Sequence, residues 1–184
     1  EKDFNVFLTY SSISTKIWIE KNKSEYEIID FYDSLPIDNP HNMKIFLELI
    51  EPHAIIFTKF DLWPGIIFSA YKSNIPIYLI SATLHQNSLR IRNFFGRILY
   101  KKINSCFKGI YCSSEIDKIN FSINTSNRLN LKVLGDTRID NVLQRSENIC
   151  EYKFSSSRNK VFIAGSIWPE DANHIFTGTI NALR

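Results

Sequence analysis

Four consecutive apolar residues, Ala54-Ile55-Ile56-Phe57, run without polar alternation and end abruptly in Thr58-Lys59-Phe60-Asp61-Leu62-Trp63-Pro64. A strand that is apolar on both faces is the signature of a buried parallel strand rather than of a half-solvated antiparallel one. The run therefore predicts a central strand with helices on both sides, each fully buried Ile or Phe contributing roughly 1.5 to 3 kcal/mol. Trp63-Pro64 then open an apolar, helix-like run, with Pro suited to the first helical turn. In open α/β sheets, ligands bind at the carboxyl ends of strands, so Lys59 and Asp61 stand where a substrate would be met.

The pattern repeats along the chain. Short β-rich runs at Asn5 to Thr9, Tyr26 to Phe31, Ala54 to Phe57, Ile77 to Ile80, Gly109 to Cys112, Lys132 to Leu134 and Lys160 to Ala164 alternate with amphipathic stretches. Such alternation predicts an α/β fold, a parallel sheet with covering helices. Asn39-Pro40 is a cap and start for a helix whose Met43, Phe46, Leu47 and Ile50 share one face, and Pro52 stops it. The polar segment 154–159 before Val161-Phe162-Ile163-Ala164 predicts a domain boundary. The expected organisation is a first domain over 1–152, a linker over 153–159 and the beginning of a second domain over 160–184. One strand and one helix are too little for an independent core, so the chain is expected to stop inside that second domain. Its start, directly before a strand, is expected to be cut as well.

Composition narrows the function classes. A net charge of +3 across 184 residues is too weak to indicate a nucleic-acid binder, yet it suits anionic ligands or a phospholipid surface. Three cysteines without Cys-x-x-Cys spacing argue against a disulfide scaffold or a zinc site and suit a reducing compartment. No Gly-rich dinucleotide or P-loop spacing occurs, which disfavours a redox cofactor or ATP. Neither cofactor nor metal is expected.

Polar residues gather at the ends of the expected strands. Ser11-Ser12 follows the first, Lys59 and Asp61 the third, and Ser81-Ala82-Thr83-Leu84-His85 the fourth. Ser113-Ser114-Glu115 follows the fifth, Gly135-Asp136-Thr137-Arg138 the sixth, and Gly165-Ser166-Ile167-Trp168-Pro169-Glu170-Asp171 the seventh. Hydroxyls at helix starts are ordinarily N-caps, worth about 1 kcal/mol each. The same helix starts present N–H groups and positive dipole ends, so a cluster on one edge also makes a cradle for phosphate or carboxylate. His41, His53 and His174 read as helix caps or surface groups, whereas His85 lies at a strand-end junction beside Thr83. The stretch from Ser88 to Lys102 mixes Arg90, Arg92, Arg97, Lys101 and Lys102 with Leu, Ile, Phe and Tyr at helical spacing. It reads as an amphipathic helix packed on the sheet, or as a basic, aromatic surface for an anionic leaflet.

Taken in order, Leu35-Pro36-Ile37-Asp38, Lys59-Phe60-Asp61-Leu62-Trp63-Pro64, Leu79-Ile80-Ser81-Ala82, Gly135-Asp136-Thr137-Arg138-Ile139-Asp140 and Ala164-Gly165-Ser166-Ile167-Trp168-Pro169-Glu170-Asp171 resemble the 3-deoxy-D-manno-octulosonic acid (Kdo) transferases of lipopolysaccharide synthesis, the Bacteroidetes-like branch in particular. The resemblance implies a metal-independent GT-B glycosyltransferase with two Rossmann-like domains. It would move Kdo from CMP-Kdo onto the lipid A precursor at the cytoplasmic face of the bacterial inner membrane, peripherally or through an anchor outside this sequence. Lys59, Asp61, Ser81, Thr83 and His85 are implied on the acceptor side. Ser12, Arg138, Ser166 and Asp171 are implied toward the donor or the cleft, and a lipid acceptor suits the reading of Arg90, Arg92, Lys101 and Lys102 as a membrane-facing surface. Asp61 replaces the family's Glu on a shorter arm, and the family's Asn-Ala-Arg-Leu-Ser loop reads Ser81-Ala82-Thr83-Leu84-His85, without the guanidinium. The family's general base, a Glu in a Ser-x-Gly-Glu turn, has no counterpart here, so no catalytic residue is assigned and the 184 residues alone are expected to be inactive. Two other readings remain: a GT-B-like sugar-nucleotide epimerase, and a non-catalytic relic that binds lipid A-like anions.

Overall fold

The computed structural model describes residues 3–22, 27–59, 61–86, 88–125, 130–147 and 164–182. The chain divides into two compact units, Glu1–Glu147 and Asn148–Arg184. In the first, the elements run β1 (Phe7–Tyr10), α1 (Ile13–Asn22), β2 (Phe31–Ser34), α2 (Pro40–Ile50), β3 (Ile55–Thr58), α3 (Pro64–Lys72) and β4 (Ile77–Ala82). They continue with α4 (Leu89–Arg92), α5 (Phe94–Asn104), β5 (Gly109–Cys112), α6 (Glu115–Ile123), β6 (Asn130–Val133) and α7 (Thr137–Glu147). The second unit contains α8 (Pro169–Ala182). The expected strand at Lys160 to Ala164 falls, but for Ala164, outside the described residues.

The expected fold class is the one found: α/β, with parallel strands covered by helices, as in a GT-B-type domain. Strands β3-β4-β5-β6 pair side by side in that order, every pair parallel, while β1 and β2 form a separate parallel pair. Parallel neighbours need crossover helices, and α3 to α6 supply them. Helix α2 starts as its sequence demands: Asn39 accepts the Asn42 N–H at 2.9 Å, Pro40 takes the first turn, and Glu51 ends it in the left-handed region with its N–H on Leu47 O. Met43 and Leu47 of α2 join Ile67 and Ala70 of α3, Ile77 and Leu79 of β4, Ile110 of β5 and Phe121 of α6 in one buried cluster.

Two strand expectations need correction. The central strand is β4, buried along most of its length, and not the apolar run at Ala54 to Phe57. That run forms β3, which pairs only with β4 among the described residues and alternates in exposure, with Ile56 62% exposed. Apolarity alone does not distinguish an edge strand from a central one when nothing covers its outer face. The second strand, expected at Tyr26 to Phe31, forms instead at Phe31–Ser34. Its position is set by register with β1, Phe7 opposite Phe31 and Tyr10 opposite Ser34, and by Asp30, whose carboxylate accepts the Val6 N–H at 2.8 Å. Pairing overrides the apolar pattern there, because Asp33 and Ser34 belong to the strand.

Candidate functional site

Because β3 to β6 are all parallel, the segments that leave their carboxyl ends share one rim. The Lys59 N–H donates to Ile80 O at 2.9 Å, Ser113 N–H to Ala82 O at 2.9 Å, and Leu134 N–H to Cys112 O at 3.1 Å, tying each exit to its neighbour. Lys59 and Ser81 are both in the left-handed region, with φ of 59° and 49°. Non-glycine residues pay for that conformation, and such strain gathers at functional sites. At Ser81 it shifts the register between β4 and β5, a bulge that turns the last part of the strand. The buried Ser81 hydroxyl lies 3.1 Å from Thr137 Oγ1 and accepts the Thr137 N–H at 3.2 Å. The exits of β4 and β6, which are not neighbouring strands, are thereby joined across β5.

Gly135, φ 92°, makes the turn after β6 and sets up Asp136 and Arg138. Asp136 accepts the Arg138 backbone N–H at 2.9 Å and the guanidinium through Nε at 3.2 and 3.3 Å and Nη2 at 2.8 Å. Those bonds, with the Lys59 charge adding to them, hold the Asp136 carboxyl down to about 2. The Arg138 side chain is still largely exposed and keeps N–H donors facing solvent. Ser113 Oγ is buried without a hydrogen-bond partner among the described residues. Burial, with the Asp117 carboxylate adding to it, pushes the Cys112 thiol up to about 12, so it stays protonated.

The rim thus brings together Lys59, Ser81 and Arg138, with Asp61 exposed two residues beyond Lys59, and Thr83 and His85 in the loop after β4. Ser12 stands at the end of β1, in the two-stranded sheet, where its hydroxyl accepts the Thr15 N–H at 3.2 Å and caps α1. Ser166, φ 60°, and Asp171, whose N–H donates to Trp168 O, belong to the second unit, at the start of α8. Arg92, Lys101 and Lys102 are exposed, the Lys102 ammonium lying 5.7 Å from the centre of the Phe68 ring, while nothing is described of the Arg90 side chain. Beside them Phe94 and Phe95 are 74% and 82% exposed and packed edge to face. Leu62, Gly96, Leu99, Tyr100 and Ile103 line an open apolar depression between the Lys59–Pro64 junction and α5.

The expected cradle of unoccupied helix N–H groups is corrected by this geometry. Asp38 caps α3, its carboxylate accepting the Gly65 and Ile66 N–H groups, each at 2.8 Å. Ser114 accepts the Asp117 N–H of α6, and Ser81 and Asp136 take those of Thr137 and Arg138 in α7. The protein supplies its own anions and hydroxyls at these helix starts, which leaves the Lys59 and Arg138 side chains as the positive charge at the rim. Asp38, Asp136 and Thr137 were not among the residues singled out from sequence for the site. Asp38 lay in a quoted motif, but its target is 27 positions away in the chain. Among the described residues no group of three or more His, Cys, Asp or Glu side chains is gathered as metal ligands would be, and no helix is long and apolar enough to cross a membrane.

Comparison with known proteins agrees with this architecture. A 3-deoxy-D-manno-octulosonic acid transferase of Aquifex aeolicus (strain VF5) is 34% identical over 85 residues, covering 45% of this chain and 22% of that protein. One of Haemophilus influenzae is 29% identical over 79 residues, covering 43% and 18%. A probable mitochondrial 3-deoxy-D-manno-octulosonic acid transferase of Arabidopsis thaliana is 25% identical over 177 residues, covering 91% and 38%. The chain thus spans between 18% and 38% of the length of these curated relatives. The family model described as 3-deoxy-D-manno-octulosonic-acid transferase (kdotransferase) matches residues 1–141, which contain every strand and the whole rim described above, and the chain belongs to that family.

Proposed function

We propose that these residues form the acceptor-side part of a glycosyltransferase that moves Kdo from CMP-Kdo to the lipid A precursor in lipopolysaccharide synthesis. The observation that carries the proposal is the convergence of Lys59, Ser81 and Arg138, two of them at strained backbone positions, on the carboxyl rim of one parallel sheet. In this reading 1–152 is the acceptor-side domain, 153–159 a linker and 160–184 the beginning of the nucleotide-sugar domain. Lys59 and Asp61 meet the acceptor's phosphate and sugar hydroxyls, with Ser81, Thr83 and His85 lining the same side. Arg138, neutralised only in part by Asp136, attracts the donor's phosphate or carboxylate. Ser12 in the first unit, and Ser166 and Asp171 in the second, are each assigned toward the donor or the cleft by the motif in which they stand. The exposed Phe94 and Phe95, flanked by Arg90, Arg92, Lys101 and Lys102, rest on the anionic inner leaflet, where each cation adds about 1 kcal/mol. The apolar depression from Leu62 to Ile103 lies between that surface and the rim, a suitable path for a lipid acceptor.

These side chains bind and orient; none of them is assigned as the base that takes the acceptor's proton. Glycosyl transfer to a hydroxyl needs such a base within hydrogen-bond reach. The test is to incubate the full-length natural protein with CMP-Kdo and the lipid A precursor and to look for the Kdo-bearing lipid by mass spectrometry, alongside the 184-residue chain. Product from the former and none from the latter is expected. Absence of product from the full-length protein, or turnover by the 184 residues alone, overturns the proposal.

A further inference from the structure

Helix α6, whose start lies at the rim, also holds the loop after β4 by two buried side chains. Strand β4 ends at Ala82, and Thr83-Leu84-His85 follow with no sheet partner among the described residues. The Leu84 N–H donates to Asp117 Oδ1 at 2.8 Å, and Leu84 O accepts from Asn120 Nδ2 at 2.7 Å. The Leu84 side chain is itself buried, as are Asp117 at 8% and Asn120 at 3% exposure. The second Asp117 oxygen accepts the Ser114 hydroxyl, and Ser114 Oγ in turn accepts the Asp117 N–H. The carboxylate is thus fixed in a capping arrangement at the positive end of α6 before it reaches the loop.

A connection that only had to link β4 to α4 would leave its backbone groups to water, as surface loops do. Burying a carboxylate and an amide to hold both polar groups of one loop residue is a demanding solution, because each side chain must be fully paired to be tolerated there. With Leu84 anchored through its side chain, its N–H and its carbonyl, Thr83 and His85 on either side have fixed backbone positions while His85 remains exposed. We propose that Asp117 and Asn120 are positioning residues for acceptor recognition, acting through Leu84 to hold Thr83 and His85 in place. This rests on the assignment of Thr83 and His85 to the acceptor side.

The test uses the full-length protein carrying Asp117→Ala, Asp117→Asn, Asn120→Ala, Thr83→Ala or His85→Ala, with steady-state kinetics against the lipid A precursor and against CMP-Kdo. Loss of a hydrogen bond from a charged, buried acceptor predicts a rise of about tenfold or more in the acceptor KM for Asp117→Ala and Asn120→Ala. The donor KM should not change, and Asp117→Asn, which keeps an oxygen for Leu84, should restore most of the acceptor affinity. A purely structural role would lower the active fraction, reducing kcat and leaving the acceptor KM unchanged, and that result overturns the proposal. Hydrogen exchange of the Leu84 amide is a second readout that needs no activity: Asp117→Ala should accelerate it by about tenfold, and unchanged protection overturns the anchoring itself. If Thr83→Ala and His85→Ala leave the acceptor KM unaltered while Leu84 protection still depends on Asp117, the acceptor assignment fails, and the positioning role with it, although the anchor stands.

Discussion

Replacing Gly65 by Ala in α3 should destabilise the protein, although Ala is the better helix former. A Cβ built at Gly65 would lie 2.5 Å from Asp38 Oδ1, 2.8 Å from its Cγ and 3.0 Å from its backbone carbon. The carboxylate would have to leave, and with it the two 2.8 Å bonds that cap Gly65 and Ile66. A lost N-cap costs about 1 kcal/mol, and removing a carboxylate from the helix's positive end about 0.5 kcal/mol more. Asp38→Ala should therefore lose about 1.5 kcal/mol. Gly65→Ala should lose about 1 kcal/mol, because the smaller entropy of the unfolded Ala chain offsets part of the same loss. In the Asp38→Ala background the oxygen clash is gone and only the close backbone approach remains, so Gly65→Ala should change stability by less than about 0.5 kcal/mol. Urea melts of the four proteins, followed by tryptophan fluorescence with the slope unchanged, give this cycle directly. Additive losses, or a Gly65→Ala protein more stable than the parent, would refute the argument that this glycine exists to admit the cap.

Other consequences follow from the rim and from α5. Asp136 has its folded pKa lowered from 3.8 to about 2, so its contribution to stability is present above about pH 4 and is lost as pH falls toward 2. A carboxyl-carbon NMR titration should find that depression in the parent and its removal in Arg138→Gln, and an unmoved midpoint would contradict the assigned cause. Ser81→Ala should cost about 1 to 3 kcal/mol by leaving the Thr137 N–H without its acceptor, whereas Thr137→Ser, which keeps a hydroxyl, should stay close to the parent; equal melting temperatures for Ser81→Ala and the parent would refute this. Neutralising Arg90, Arg92, Lys101 and Lys102 together should weaken binding to phosphatidylglycerol-containing vesicles by orders of magnitude and shift neutral-vesicle binding little, and sedimentation binding curves that coincide for the two proteins would remove the membrane assignment.

Some of this was plain from the residues. Gly109 and the Ser113-Ser114 pair bracket β5, and the observed strand has those limits because both signals are local: an entry glycine, then a cap that accepts the Asp117 N–H. Asn39, Pro40 and Pro52 defined α2 for the same reason. Where the deciding partner is distant, the residues say less. The second strand is placed by its register with β1 and by Asp30 reaching Val6, and neither is visible in the run from Tyr26 to Phe31. Strand β4 extends through Ser81 and Ala82 because a left-handed residue is accommodated inside it, a conformation that serine does not announce. Asp38 and Asp136 act on groups placed by the fold or by a turn, and Asp117 and Asn120 hold a loop residue 33 and 36 positions away in the chain. The rim was legible as a row of strand exits; which of its polar groups were already committed to one another was not.

The left-handed backbone at Ser81 also limits which residues can succeed one another there. Valine, isoleucine and threonine, branched at Cβ, are nearly shut out of that conformation, whereas short polar residues such as asparagine and aspartate enter it several-fold more often than other residues with a side chain. Serine suits the position for a reason of main-chain geometry: it is short and polar, and from this bend its hydroxyl reaches the Thr137 amide.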